Sequence, residues 1–149
     1  MRTIEDTLGL WVAGLLTSDQ VIEWAGLEIA RLDQPPEELV DLASDGPQRC
    51  LKRPEYDFPP RPTKLDYSQE FSLRALATSL ESDSSVLRFA EWAARHCIGK
   101  DLSDPKVSLG YHLDHLLDDC QDKDAARRLV RADLPALLAD CELVARRFA

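Results

Sequence analysis

The 149-residue chain carries no glycine-rich phosphate loop, GxSxG, HExxH, dinucleotide fingerprint or CxxC pair. Those absences remove the nucleotide-binding, serine-hydrolase, zincin and thiol-redox readings that such motifs support. Histidine is scarce, with three residues, two of them within four positions (His112 and His115). No apolar run approaches the roughly 20 residues a membrane span needs. The first residues place Glu5 and Asp6 where a secretory signal would be basic and then apolar. A cytoplasmic protein with no membrane partner is the expectation. The four cysteines, Cys50, Cys97, Cys120 and Cys141, lie far apart. Three of them, Cys97, Cys120 and Cys141, fall on apolar helix faces, which predicts reduced, buried thiols rather than a disulfide framework. A basic strip is missing as well, because Arg127, Arg128, Arg131, Arg146 and Arg147 are offset by nearby acids. Nucleic acid is therefore not an expected partner.

What is present is the composition of a folded domain, 44% hydrophobic and 30% charged. Helical periodicity recurs along the chain, and no stretch alternates as a strand would. The expectation is one all-α domain, a compact bundle of seven or eight helices. Its parts are acidic N-terminal helices over 1–46, a proline-rich connector over 47–67 and C-terminal helices over 68–149.

The first helix is capped by Thr3 and carries an apolar stripe of Leu8, Trp11, Val12, Leu15 and Leu16. Thr17-Ser18-Asp19-Gln20 reads as a capping box that starts a second helix, which cannot pass Gln34 because Pro35 follows. Glu37 and Glu38 suit the N-terminus of a third helix, which ends near Gly46. Five of the nine prolines fall between Pro47 and Pro62, which excludes a long regular element there and leaves one short helical turn around Gln48 to Lys52. Helices are then expected over about 68–80, 84–98 and 105–121, the last opened by the cap and N1 proline of Asp104-Pro105. A short helix over 122–131 precedes a final one capped by Asp133. The segments Leu16-Thr17-Ser18-Asp19 and Leu80-Glu81-Ser82-Asp83 rhyme, as do Val21-Ile22-Glu23-Trp24-Ala25 and Val86-Leu87-Arg88-Phe89-Ala90. They suggest a duplicated helical hairpin about 65 residues apart, although two capped amphipathic helices also look alike by chance.

Three constellations bear on chemistry. On a regular helix Leu109, Leu113, Leu116, Leu117 and Cys120 share the buried face, while His112, His115 and Asp119 share a flank that can offer ligands to Zn²⁺ or a similar metal ion; a surface His115–Asp119 pair is the plainer reading. The acidic cluster Asp114, Asp118, Asp119, Asp122 and Asp124 can bind Mg²⁺ or form a salt-bridged surface. Glu28, beside Trp24, is either a partly buried general acid or the ion-pair partner of Arg31.

Charge is uneven along the chain: residues 1–46 hold ten acids against Arg2 and Arg31, a balance of −8 within a total of −9. Such a segment favours basic partners. The resulting expectation is a non-catalytic, acidic protein-binding protein that needs no cofactor, with the profile of a bacterial immunity protein, an antitoxin or an adaptor. Asp19, Glu23, Trp24, Glu37, Glu38 and Asp41 are its candidate contacts with a basic protein. The alternatives are a metal-dependent enzyme using His112, His115 and Asp119, and a structural homodimer formed around Trp92.

Overall fold

Helix ends follow the capping chemistry written in the chain. The computed structural model describes residues 2–149 and shows, among those residues, helices and loops but no strand. Thr3 caps α1 (Ile4–Val12) by accepting from the Asp6 amide at 3.0 Å. Thr17 and Gln20 form a reciprocal capping box at the start of α2 (Ser18–Arg31), and Asp66 and Gln69 do the same for α5 (Tyr67–Ala77). Between them lie α3 (Glu37–Asp45) and the six-residue α4 (Pro47–Lys52), separated by Gly46 at φ +83°. The chain continues through α6 (Asp83–His96), α7 (Pro105–Asp114), α8 (Lys123–Asp133) and α9 (Leu138–Ala145). Among the described residues, eight helices have eight or more residues, and α4 is the short turn expected inside the proline-rich segment. The all-α bundle is therefore present.

Local departures have physical causes. Gly14 at φ +77° stops α1 at Val12, so Leu15 and Leu16 lie beyond the helix and Val12 is exposed. The helix expected over 105–121 is α-helical only to Asp114 and continues as a π-helical turn, His115–Asp119. The last expected helix is divided, with a 3₁₀ turn at Leu134–Leu137 before α9.

The contacts cluster into two units. One comprises residues 1–65 with Arg147–Ala149, and the other spans Asp66–Arg146. In the first, α1 packs on α2, and α2 on α3 and α4, around Leu8, Val21, Ala25, Leu39, Leu42, Cys50 and Phe58. Gly9 is needed in α1 because a Cβ there would run into the Thr63 carbonyl oxygen. In the second, α5 packs on α6, α6 on α7 and α8, and α9 on α5. Its core includes Phe71, Val86, Phe89, Leu113, Val130 and Leu134. The order of packing repeats: α2 and α6 are each 14 residues long, and Val21, Val86, Ala25 and Ala90 are all fully buried.

Candidate partner-binding surface

Of the ten acids in residues 1–46, four are engaged within the first unit. Glu28 pairs with Arg31 at 2.9 Å, the plainer of its two expected roles. Arg53 reaches Asp41 at 3.1 Å and also pairs with Asp45. Asp6 is bound by Thr63 and Arg147. Asp19 and Glu23 on α2, by contrast, are exposed and have no ion-pair partner among the described residues. The same holds for Glu37, which is exposed, and for Glu38, which is half-buried, at the start of α3.

The two helices supply apolar surface beside this charge. Positions 19, 23, 26, 27 and 30 face outward on α2, since Val21 and Ala25 turn inward at helical spacing. Leu27 is 60% exposed and Val40 on α3 is 42% exposed. Leu32, also exposed, lies in the loop that joins the two helices. Carboxylates and exposed aliphatic side chains thus share one helical hairpin, a composition suited to a cationic, partly apolar partner.

Trp24 is placed differently from an open anchor. It is half-buried against the first unit's core, and the Arg2 guanidinium lies over its ring at 5.4 Å. Asp41 is likewise held by Arg53. Among the expected contacts, Asp19, Glu23, Glu37 and Glu38 are therefore the carboxylates left without an internal cation.

In the second unit, the proposed metal ligands divide into a pair and a separate histidine. His115 Nδ1 lies 2.9 Å from Asp119 Oδ2, whereas His112 lines a hollow of about 320 Å³ with Pro105, Leu109, Asp133 and Leu137. Among the described residues, no three His, Cys, Asp or Glu side chains gather closely enough to hold a metal ion. His115 and Asp119 pair with each other across the π-turn, and no third ligand joins them among the described residues. The acidic cluster is dispersed in the same way. Asp124 pairs with Arg127, Asp122 caps α8 at the Ala125 amide, and Asp119 faces His115. The π-turn also corrects the placing of Cys120, which is exposed while Cys50, Cys97 and Cys141 are buried.

Trp92, the centre of the expected homodimer patch, is covered from within its own unit. Its ring stacks with Tyr67 at 5.3 Å and with His96 at 5.2 Å, and Arg74 lies over it at 5.2 Å. Elsewhere in this unit the buried Lys106 donates to Ser68 Oγ at 2.8 Å and pairs with Asp140 at 2.6 Å. Sequence reasoning did not single out this lysine; its place beside Val107 and three residues before Leu109, both buried, was the available signal. Among the described residues, no helix is long and apolar enough to cross a membrane. Neither a family model, nor a curated protein, nor a solved structure matches the chain.

Proposed function

We propose that the protein binds a basic protein partner without catalysing a reaction, through the α2–α3 hairpin of its first unit, in an immunity, antitoxin or adaptor role. The observation that supports this is the uncompensated charge of the hairpin. Both bases of residues 1–46 are already engaged, Arg31 by Glu28 and Arg2 over Trp24. Asp19, Glu23, Glu37 and Glu38 are left to attract an external cation. Complementary charge speeds encounter and selects the partner, and burial of Leu27, Leu32 and Val40 would add affinity.

The test is a capture experiment from native cell extract at low salt, run in parallel with the wild-type chain and with a D19K/E23K/E37K/E38K variant whose folding is checked by circular dichroism. The expected result is a basic protein held by the wild type, released as salt rises, and absent from the variant. If the folded variant retains the same proteins, the hairpin is not the binding surface.

A further inference from the structure

We infer that Cys120 is a reversible thiol-exchange site, which forms a mixed disulfide with a small-molecule disulfide, and that His115 and Asp119 activate it. Asp119 Oδ2 lies 2.9 Å from His115 Nδ1, and His115 Nε2 lies 3.6 Å from Cys120 Sγ. With Nδ1–H donating to the carboxylate, Nε2 is left as the acceptor that faces the thiol. Nucleophile, base and orienting carboxylate thus stand in the order that activates a weak nucleophile.

The backbone builds this arrangement. On a regular α-helix Cys120 would share the inward face with Leu113, Leu116 and Leu117. In the π-turn the Cys120 amide donates to the His115 carbonyl, five residues back, at 3.1 Å, which brings side chains five apart side by side. The turn then closes through Gln121, at φ +50° the one residue other than glycine with a positive φ among those described, and the Asp122 amide donates to the Leu116 carbonyl at 2.9 Å. A left-handed glutamine at a helix end, where glycine is usual, marks a local conformation held at some cost. It keeps Cys120 exposed and against the imidazole.

Thiol exchange suits this geometry because it requires access to one sulfur atom rather than an enclosed cavity. His115 takes the Cys120 proton, and the thiolate attacks one sulfur of R–S–S–R. The Cys120–S–S–R bond forms, the old S–S bond breaks, and the departing R–S⁻ receives the proton from His115. The disulfide is reduced as the protein thiol is oxidised. The other three cysteines are buried, so none is placed to resolve the mixed disulfide, and an external thiol reverses it.

Asp114, Asp118 and Asp122 on the same stretch, His112 on α7, Glu91 and Arg95 on α6, and Lys123, Asp124 and Arg127 on α8 are charged or titratable groups around the turn. The imidazole is the base within reach of the thiol, and the surrounding carboxylates repel an approaching anion. They also favour neutral or cationic disulfides over anionic ones. This site lies in the second unit on residues that partner binding does not use, so its failure leaves the binding reading untouched.

The test treats the purified full chain with 2-hydroxyethyl disulfide under native conditions and follows the adduct by intact mass and peptide mapping. One adduct, at Cys120, is expected for the wild type, and none for C120S. Without the imidazole as base, H115Q should react about tenfold more slowly at pH 7. In alkaline solution hydroxide takes over the role of the base, so the H115Q rate should approach that of the wild type. D119N should fall between the two. Equal wild-type and H115Q rates across the pH range overturn the proposal, as do the absence of an adduct, modification at a buried cysteine, or a covalent dimer in place of the mixed disulfide.

Discussion

Asp6→Ala is the most informative single perturbation of the first unit, because one carboxylate there ties three separate pieces of chain. Asp6 is 3% exposed and accepts from Thr63 Oγ1 at 2.9 Å and from Arg147 Nη2 at 2.8 Å. Helix α1, the end of the proline-rich segment and the C-terminal residues therefore meet at one side chain. Burial pushes its carboxyl up, but the hydrogen bonds from Arg147 and Thr63 and the Arg147 charge outweigh that and hold it below the ordinary carboxylate range. A hydrogen bond to a charged group contributes about 1.5–3 kcal/mol, and breaking a buried ion pair costs about 3–5 kcal/mol. Arg147 is 53% exposed and regains water when its partner is removed. The lower range therefore applies, and D6A is expected to lose about 2 kcal/mol by analogy with single charged hydrogen bonds.

Urea unfolding followed by circular dichroism measures that loss, and a double-mutant cycle with R147A isolates the pair. The two single variants remove the same contact, so their effects should fall short of additivity by about 1 kcal/mol. Because the folded carboxyl lies below its unfolded value, its stabilisation is complete above the unfolded range, near pH 4. It is lost as pH falls through the lower folded value, so wild type and D6A should converge in strong acid. Strict additivity, or a D6A loss under about 0.5 kcal/mol, the level of an ordinary surface substitution, would refute the tie.

Two further predictions concern packing. In G110A the new Cβ would stand 2.6 Å from Cys97 Cβ and 2.9 Å from the Ala93 carbonyl oxygen. The α6–α7 contact must open, and the overpacking, typically about 1–3 kcal/mol, should exceed the gain of about 1 kcal/mol in helix propensity. A higher midpoint for the variant in urea would contradict this. Phe58 is fully buried within the proline-rich segment, so F58A should cost about 3–5 kcal/mol, read as faster hydrogen exchange in α2 and α3; unchanged exchange there would show that the segment is not part of the core.

The all-α character and most helix starts were legible because they depend on local chemistry: Thr3, Thr17 with Gln20, and Asp104 with Pro105 act within a few residues of themselves. The short turn between Pro47 and Lys52 was legible for the same reason, since prolines constrain their own and the preceding backbone. The break at His115 was not. Wheel arithmetic assumes a constant step, and a single π-turn rotates every later side chain relative to that assumption, moving Cys120 from the expected core to the surface. Trp24 shows a second limit. Its amphipathic position could be read from periodicity, but the Arg2 side chain that covers it comes from another helix end, and periodicity carries no information about which residue covers which. Lys106 was missed because charge was taken as a mark of exposure, whereas here Ser68 and Asp140 satisfy the ammonium in place of water.

Charge asymmetry along the chain changes meaning once the chain is folded. Residues 1–46 carry −8, yet Arg49, Lys52, Arg53, Arg61, Lys64 and Arg147, against Glu55 and Asp57, come from later in the chain and belong to the same unit, so the first unit carries −4 and the second −5 by formal count. Net acidity therefore does not distinguish the two units. What distinguishes the α2–α3 hairpin is where the counter-ions have gone. Arg53 is committed to Asp41 and Asp45, with Asp57 3.9 Å away, and Arg147 is committed to Asp6. Substituting Asp41 or Asp45 consequently disturbs Arg53 and acts mainly on stability, whereas substituting Asp19 or Glu23 breaks no internal ion pair and acts on whatever approaches from outside. Stability and partner capture should respond to different carboxylates, although all four belong to one acidic segment. If reversing Asp19 and Glu23 destabilised the chain as much as reversing Asp41 and Asp45, the distinction between committed and available charge would fail, and the hairpin would be an ordinary solvated surface.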